Sequence, residues 1–217
     1  MAEHLHDGYR TRYPASPAWP WRAFGGVFLR PGRTLREWRD NDPETRQLLL
    51  WFTLPALLLS VIGAGWAHEA MPSGFPPETR PAPVPFAIYS ALTQFVGVLA
   101  LAACAHYLCD LFQGRSDFRR ALAAVSVAMI PAWCGNVAAA LPWPFGAWLA
   151  LAGIVYSLVL LYAAFAVILG MERGNRRGHY LAVLGGATLA TFAFGWQAVS
   201  LIPGAAPAVR LGTTWLI

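Results

Sequence analysis

Five runs of apolar residues, 48–67, 86–109, 121–141, 145–169 and 181–202, follow one another along the chain with polar breaks between them. They are 20, 24, 21, 25 and 22 residues long. A helix needs about 20 apolar residues to cross the roughly 30 Å hydrocarbon core of a bilayer, so every run is long enough. None alternates with a period of two, as the strands of a membrane barrel do. Inside lipid each backbone N–H and C=O must be satisfied within its own segment, which leaves helices. The pattern predicts an all-α integral membrane bundle of five transmembrane helices over residues 47–203. Its centre is the stretch 130–170, forty-one residues without a charged side chain, with a turn at Leu141-Pro142-Trp143-Pro144. That stretch reads as a tight transmembrane hairpin.

The flanks have other patterns. Residues 1–22 mix His, Arg, Pro and Trp without period, and Pro14, Pro17 and Pro20 discourage helix, so a flexible tail is expected. In 23–46, Phe24, Val27, Phe28, Leu35 and Trp38 recur among Arg30, Arg33, Arg36 and Arg39. Pro31 suits the first turn of a helix. An arginine-rich helix with an aromatic face is suited to the headgroup layer, and the alternative is a soluble helix packed under the bundle. The loop 69–85 carries six prolines and should be extended. Residues 204–217 form a short external tail.

Charge gives the bundle a direction. Only 12% of residues are charged, about half the fraction of a soluble domain, and the mean hydropathy is +0.45. All sixteen basic residues are arginine. With the N-terminus in the cytoplasm, fourteen of the sixteen fall on inside segments, leaving Arg80 and Arg210 outside. The positive-inside rule therefore sets the N-terminus inside and the C-terminus outside. The inside segments net +5 and the outside ones zero, so the basic pI is a topology signal and nucleic acid is not implied. Cys104, Cys109 and Cys134 lie in or beside apolar runs without a CxxC pair, which reads as free thiols.

Candidate chemistry inside the spans is sparse. Pro55 and Pro131 sit within spans one and three as candidate helix hinges. Gln94, Asn136 and Gln197 share one depth, roughly 7–12 Å below the outer surface. Three carboxamides at that level fit either a small ligand-binding layer or interhelical hydrogen bonding. His106 and Asp110 are spaced i, i+4, which fits half a metal site, a proton relay, or a local pair at the headgroup boundary. No second His or Cys cluster completes a metal set, so neither metal nor cofactor is implied. No span carries a central Asp, Glu, Lys or Arg, unlike ion-coupled transporters. Motifs of metalloproteases, serine hydrolases and P-loop enzymes are missing. Small residues recur at helical spacing, as at Ser60 and Ala64 or Gly146 and Ala150, and allow close helix contact or an oligomer face. The basic inner face, with Arg30, Arg33, Arg36, Arg39, Arg176 and Arg177, is suited to anionic lipid or a partner protein.

Phe112-Gln113-Gly114 with Ser116-Asp117-Phe118, then Ile130-Pro131-Ala132-Trp133 and Leu141-Pro142, then Ile154-Val155-Tyr156-Ser157 with Leu160-Leu161-Tyr162, and Arg177-Gly178-His179-Tyr180 form a series of short motifs. Together they resemble the Yip-one family in its bacterial branch, which implies a bacterial inner membrane as the setting. The likeness runs from about Gly32 to Leu201. It implies five spans, a cytoplasmic N-terminus and a C-terminus on the far side. Eukaryotic relatives are tied to Rab-type GTPases and to membrane traffic and shape, whereas the bacterial ones have no agreed activity. This chain lacks the acidic, aromatic D-L-Y-G-P motif before span one and has Asp40-Asn41-Asp42-Pro43 there instead. The resemblance carries over no catalytic residue. The expectation is a non-enzymatic Yip-like membrane protein that organises membrane or recruits partners: lipids, other membrane proteins or a second copy. The alternatives are a small transporter or channel around Gln94, Asn136 and Gln197, and a membrane enzyme using His106 and Asp110.

Overall fold

The computed structural model describes residues 21–70, 82–112, 117–203, 209–211 and 214–216. Five helices are long and apolar enough to cross a membrane: Thr45–Trp66, Pro83–Tyr107, Phe118–Ala138, Phe145–Val167 and Arg173–Leu201. Each expected apolar run thus becomes one crossing. The first is built from α3 (Thr45–Leu48), a π-helical turn (Leu49–Thr53) and α4 (Leu54–Ala70). The second is α5 (Pro83–Tyr107), the third α6 (Phe118–Ala128) followed by α7 (Ile130–Ala138), the fourth α8 (Phe145–Val167) and the fifth α9 (Arg173–Leu201). Near the C-terminus, β1 (Val209–Leu211) pairs antiparallel with β2 (Thr214–Leu216). Of the tail expected at 1–22, residues 1–20 lie outside the described residues, as does most of the proline-rich loop, while Trp21 and Arg22 already stand at the start of a helix.

The two intramembrane prolines mark where the helical hydrogen-bond ladder changes. Pro55 has no N–H, and its ring would press on the carbonyl one turn back. The wider turn at Leu49–Thr53 lies immediately ahead of it. Pro131 follows Met129, where α6 ends and α7 begins.

The helix α6 is the pillar of the bundle. Every residue from Ala121 to Ala128 is buried. The run Ala-Leu-Ala-Ala-Val-Ser-Val-Ala is small enough for backbones on several sides to approach, which is how helices associate where lipid gives no hydrophobic drive. Asp117 caps the start of α6, its carboxylate accepting from the Arg119 and Arg120 backbone N–H groups at 2.6 and 3.2 Å. On one side α5 pairs with α9 along its length, and on the other α7 packs between α4 and α8. Large apolar side chains such as Trp51, Ile62, Leu189 and Phe192 face outward, as expected where the solvent is lipid.

The α7–α8 hairpin closes through glycine. A Cβ on Gly153 would run into the Pro131 carbonyl, and one on Gly135 would lie 3.2 Å from the Ala150 backbone. At the turn, a Cβ on Gly146 would strike the Leu141 carbonyl oxygen. Glycine is required at these places by close approach of backbone to backbone.

The arginine-rich segment folds as two helices, α1 (Arg22–Leu29) and α2 (Pro31–Asn41). Pro31 stands at the first turn of α2, where its missing N–H is not needed. Gly26 lets the two helices meet, since a Cβ there would overlap the Thr34 hydroxyl. Trp21 and Phe24 stack at 5.5 Å, and both meet the fully buried Phe52 edge-on at 5.8 and 5.9 Å. Trp38 reaches the same ring at 5.0 Å. The Val27 carbonyl accepts a hydrogen bond from the Tyr156 hydroxyl at 2.8 Å. Tyr156 is about 16 Å along α8 from its end at Val167, so α1 lies against the middle of the spans. An ion pair adds to these contacts: Asp42, in a left-handed backbone conformation, holds Arg119 at 2.7 Å.

Candidate functional site

The three carboxamides do not meet around one space. Asn136 sits on α7 and donates from Nδ2 to the Ser60 hydroxyl at 3.1 Å. Gln94, on α5, donates from Nε2 to Ser90 of its own helix at 3.0 Å. Gln197, on α9, is exposed on the outer surface of the bundle. The main neighbours of α7 are α4 and α8, whereas α5 and α9 pair with each other. Asn136 therefore belongs to one half of the molecule, and Gln94 and Gln197 to the other.

The polar atoms that do join spans are hydroxyls. Thr53 and Ser126, both fully buried, share a hydrogen bond of 2.9 Å between the first span and α6. Ser60 donates to the Trp133 carbonyl at 3.1 Å while accepting from Asn136, which ties α4 to α7 twice. Ser157 of α8 accepts from the Ala132 backbone N–H at 2.9 Å. Pro131 opens the ladder at that point, and the hydroxyl meets the N–H beside it. In the sequence none of these serines has a partner at a recognisable spacing. The only hint was the spacing of a serine on one apolar run from a proline on the preceding one.

The His106–Asp110 pair loses its shared face because α5 ends at Tyr107 and Asp110 opens a 3₁₀ turn. His106 instead lies beside Tyr107 and Phe118, with ring centroids 4.9 and 6.4 Å apart. His179, quoted in the sequence only as part of a family motif, is fully buried: Nε2 lies 3.0 Å from the Ala105 carbonyl, and Phe112 and Phe165 flank the ring. Among the described residues no group of three or more His, Cys, Asp or Glu side chains comes together. A cavity of about 290 Å³ lies between α1, α4 and α7, walled by Trp21, Phe24, Leu59, Trp133 and Val137. Its lining is nearly all apolar, with Ser60 the main polar group.

The inner arginines divide into two sets. On α2, Arg33 is paired with Glu37 at 2.7 Å and Arg39 with Asp40 at 2.9 Å, while Arg36 and, just before the helix, Arg30 are exposed. At the start of α9, no carboxylate among the described residues comes within ion-pair distance of Arg173, Arg176 or Arg177. The Arg176 guanidinium instead lies 4.4 Å from the centroid of the Tyr162 ring, a cation–π contact across the α8–α9 junction. Tyr162 is held in turn by Tyr180, edge-on at 5.3 Å. The Tyr180 hydroxyl donates to the Leu158 carbonyl at 3.0 Å. The α8–α9 rim thus presents a positive charge on a rigid aromatic support.

A family model described as the Yip1 domain matches residues 25–197, which takes in both N-terminal helices and nearly all of the five spans. No curated protein and no solved structure matches significantly.

Proposed function

The chain belongs to the Yip1 domain family of membrane proteins, and from that premise we propose that it acts without catalysing a reaction, organising the membrane or recruiting partners through its arginine-rich inner face. The supporting observation is how the polar groups are used. Inside the spans, Thr53, Ser60, Ser126, Asn136 and Ser157 are taken up by contacts between helices. At the inner rim, by contrast, no carboxylate among the described residues lies within ion-pair distance of Arg176 or Arg177. The arginine distribution supports an N-terminus inside and a C-terminus outside, and the bacterial-type motifs support the inner membrane of a bacterium. The transporter alternative has less behind it, because Gln94, Asn136 and Gln197 face different surroundings. Crosslinking in living cells followed by purification in mild detergent tests the proposal. A defined partner or homo-oligomer is expected, and a strictly monomeric chain that captures nothing counts against it.

A further inference from the structure

We propose that Arg176, Arg177 and Tyr162 form a binding site for the phosphate of an anionic membrane lipid, at the inner rim between α8 and α9. The inference deepens the reading of the arginine face and rests on its N-inside orientation. Three observations carry it. The first is charge without an answer: Arg33, Arg39 and Arg119 each have a carboxylate within 3 Å, whereas no carboxylate among the described residues lies within ion-pair distance of Arg176 or Arg177. The Nε of Arg176 is enclosed and has no acceptor. Arg177, next along α9, is exposed beside it.

The second is preorganisation. Stacking on Tyr162, itself braced by Tyr180, holds the Arg176 guanidinium in one orientation. A planar fork with parallel N–H donors matches phosphate oxygens, and one already held in place loses little rotamer freedom on binding.

The third is the surroundings. Tyr162 lies about 7 Å from the end of α8, and Arg176 about 5 Å from the start of α9. With Tyr156 at mid-span, Tyr162 is about 9 Å nearer the inner end, a few ångströms inside the boundary at about 15 Å, and Arg176 meets it from the headgroup side. On the same face of α8, at helical spacing toward the membrane interior, Val155, Leu158 and Val159 are exposed. On α9, Leu181 is 67% exposed one turn beyond Arg177. An acyl chain can follow these side chains while its phosphate sits on the arginines. A soluble phosphate would gain nothing from that apolar track.

The full chain in nanodiscs of phosphatidylcholine with phosphatidylglycerol tests the site, with co-purified lipid read by native mass spectrometry. Replacing both arginines, R176Q with R177Q, should reduce retained phosphatidylglycerol roughly tenfold, the loss of one or two charge-assisted contacts. Tyr162→Leu should reduce it several-fold without changing charge, which separates the site from a general loss of basicity. R33Q with R39Q should leave retention unchanged. If R176Q/R177Q does not give a helical, monodisperse protein, Tyr162→Leu and Arg177→Gln alone carry the test. Equal losses at both arginine pairs, or no loss at Arg176 and Arg177, overturn the site. Protection of the wild type by inorganic phosphate in phosphatidylcholine-only discs, equal to that given by phosphatidylglycerol, overturns the lipid as its source. Lost partner crosslinking with intact lipid retention would fail the recruitment reading alone.

Discussion

The Ser157 hydroxyl of α8 accepts a hydrogen bond from the backbone N–H of Ala132, the residue after Pro131 in α7. A proline in one span has thus been matched by a serine in the next, 25 residues away. Removing the hydroxyl leaves a backbone N–H in an apolar setting without an acceptor. Ser157→Ala should lower stability by about 1–2 kcal/mol. Ser157→Thr should keep most of it if the added methyl is accommodated. Thermal unfolding in detergent, followed by helical circular dichroism, reads this. A Ser157→Ala midpoint equal to wild type would mean that the N–H finds another acceptor.

Gly153 lies against the Pro131 carbonyl with no room for a Cβ, whereas nothing lies within 4 Å of a Cβ on Gly185. Gly153→Leu should therefore separate α7 from α8 and cost about 3 kcal/mol or more, the range of severe overpacking. Gly185→Leu, chemically the same change, should be tolerated. The comparison is made by size-exclusion profile and yield. Similar behaviour of the two variants would remove close backbone approach as the reason for glycine in the hairpin.

Asp42 anchors α2 through Arg119, and both side chains are mostly covered, at 18% and 26% exposure. Arg120 adds a longer contact of 3.7 Å to the same carboxylate. Asp42→Asn should weaken the attachment by about 1–3 kcal/mol, more than a fully exposed pair would contribute. Hydrogen exchange should rise in α1 and α2 while α5 and α9 stay protected. A double-mutant cycle with Arg119→Gln isolates the pair. A coupling indistinguishable from zero would place the anchor in the aromatic cluster around Phe52 alone.

The carboxamides should separate by partner. Asn136→Leu breaks the bond to Ser60 and should cost around 0.6 kcal/mol, the average for an interhelical hydrogen bond in a membrane. Gln197→Leu, on an exposed position, should be neutral or slightly stabilising in lipid. Solute flux through liposomes should respond to neither variant. Flux abolished by both would revive a polar layer as a conduction site.

The crossings were legible in the chain because hydropathy and backbone satisfaction are properties of one segment at a time. The family likeness was legible for a similar reason, since its motifs are local. The expected match from about Gly32 to Leu201 compares with 25–197 found. Pro55 and Pro131 marked the irregular turns because a missing N–H acts on its own helix.

Only the tertiary structure decided which side chains face each other. Depth can be counted along a span, so Gln94, Asn136 and Gln197 could be set at one level from sequence. The direction each one faces depends on how five helices rotate and pair, and that is settled by contacts between residues far apart in the chain. The same holds for Ser157 beside Ala132, for α1 against Tyr156, and for Arg176 stacked on Tyr162. Membership of the bilayer was set by the sum of apolar residues, and the arrangement within it by small residues, hydroxyls and one ion pair whose partners no linear pattern names.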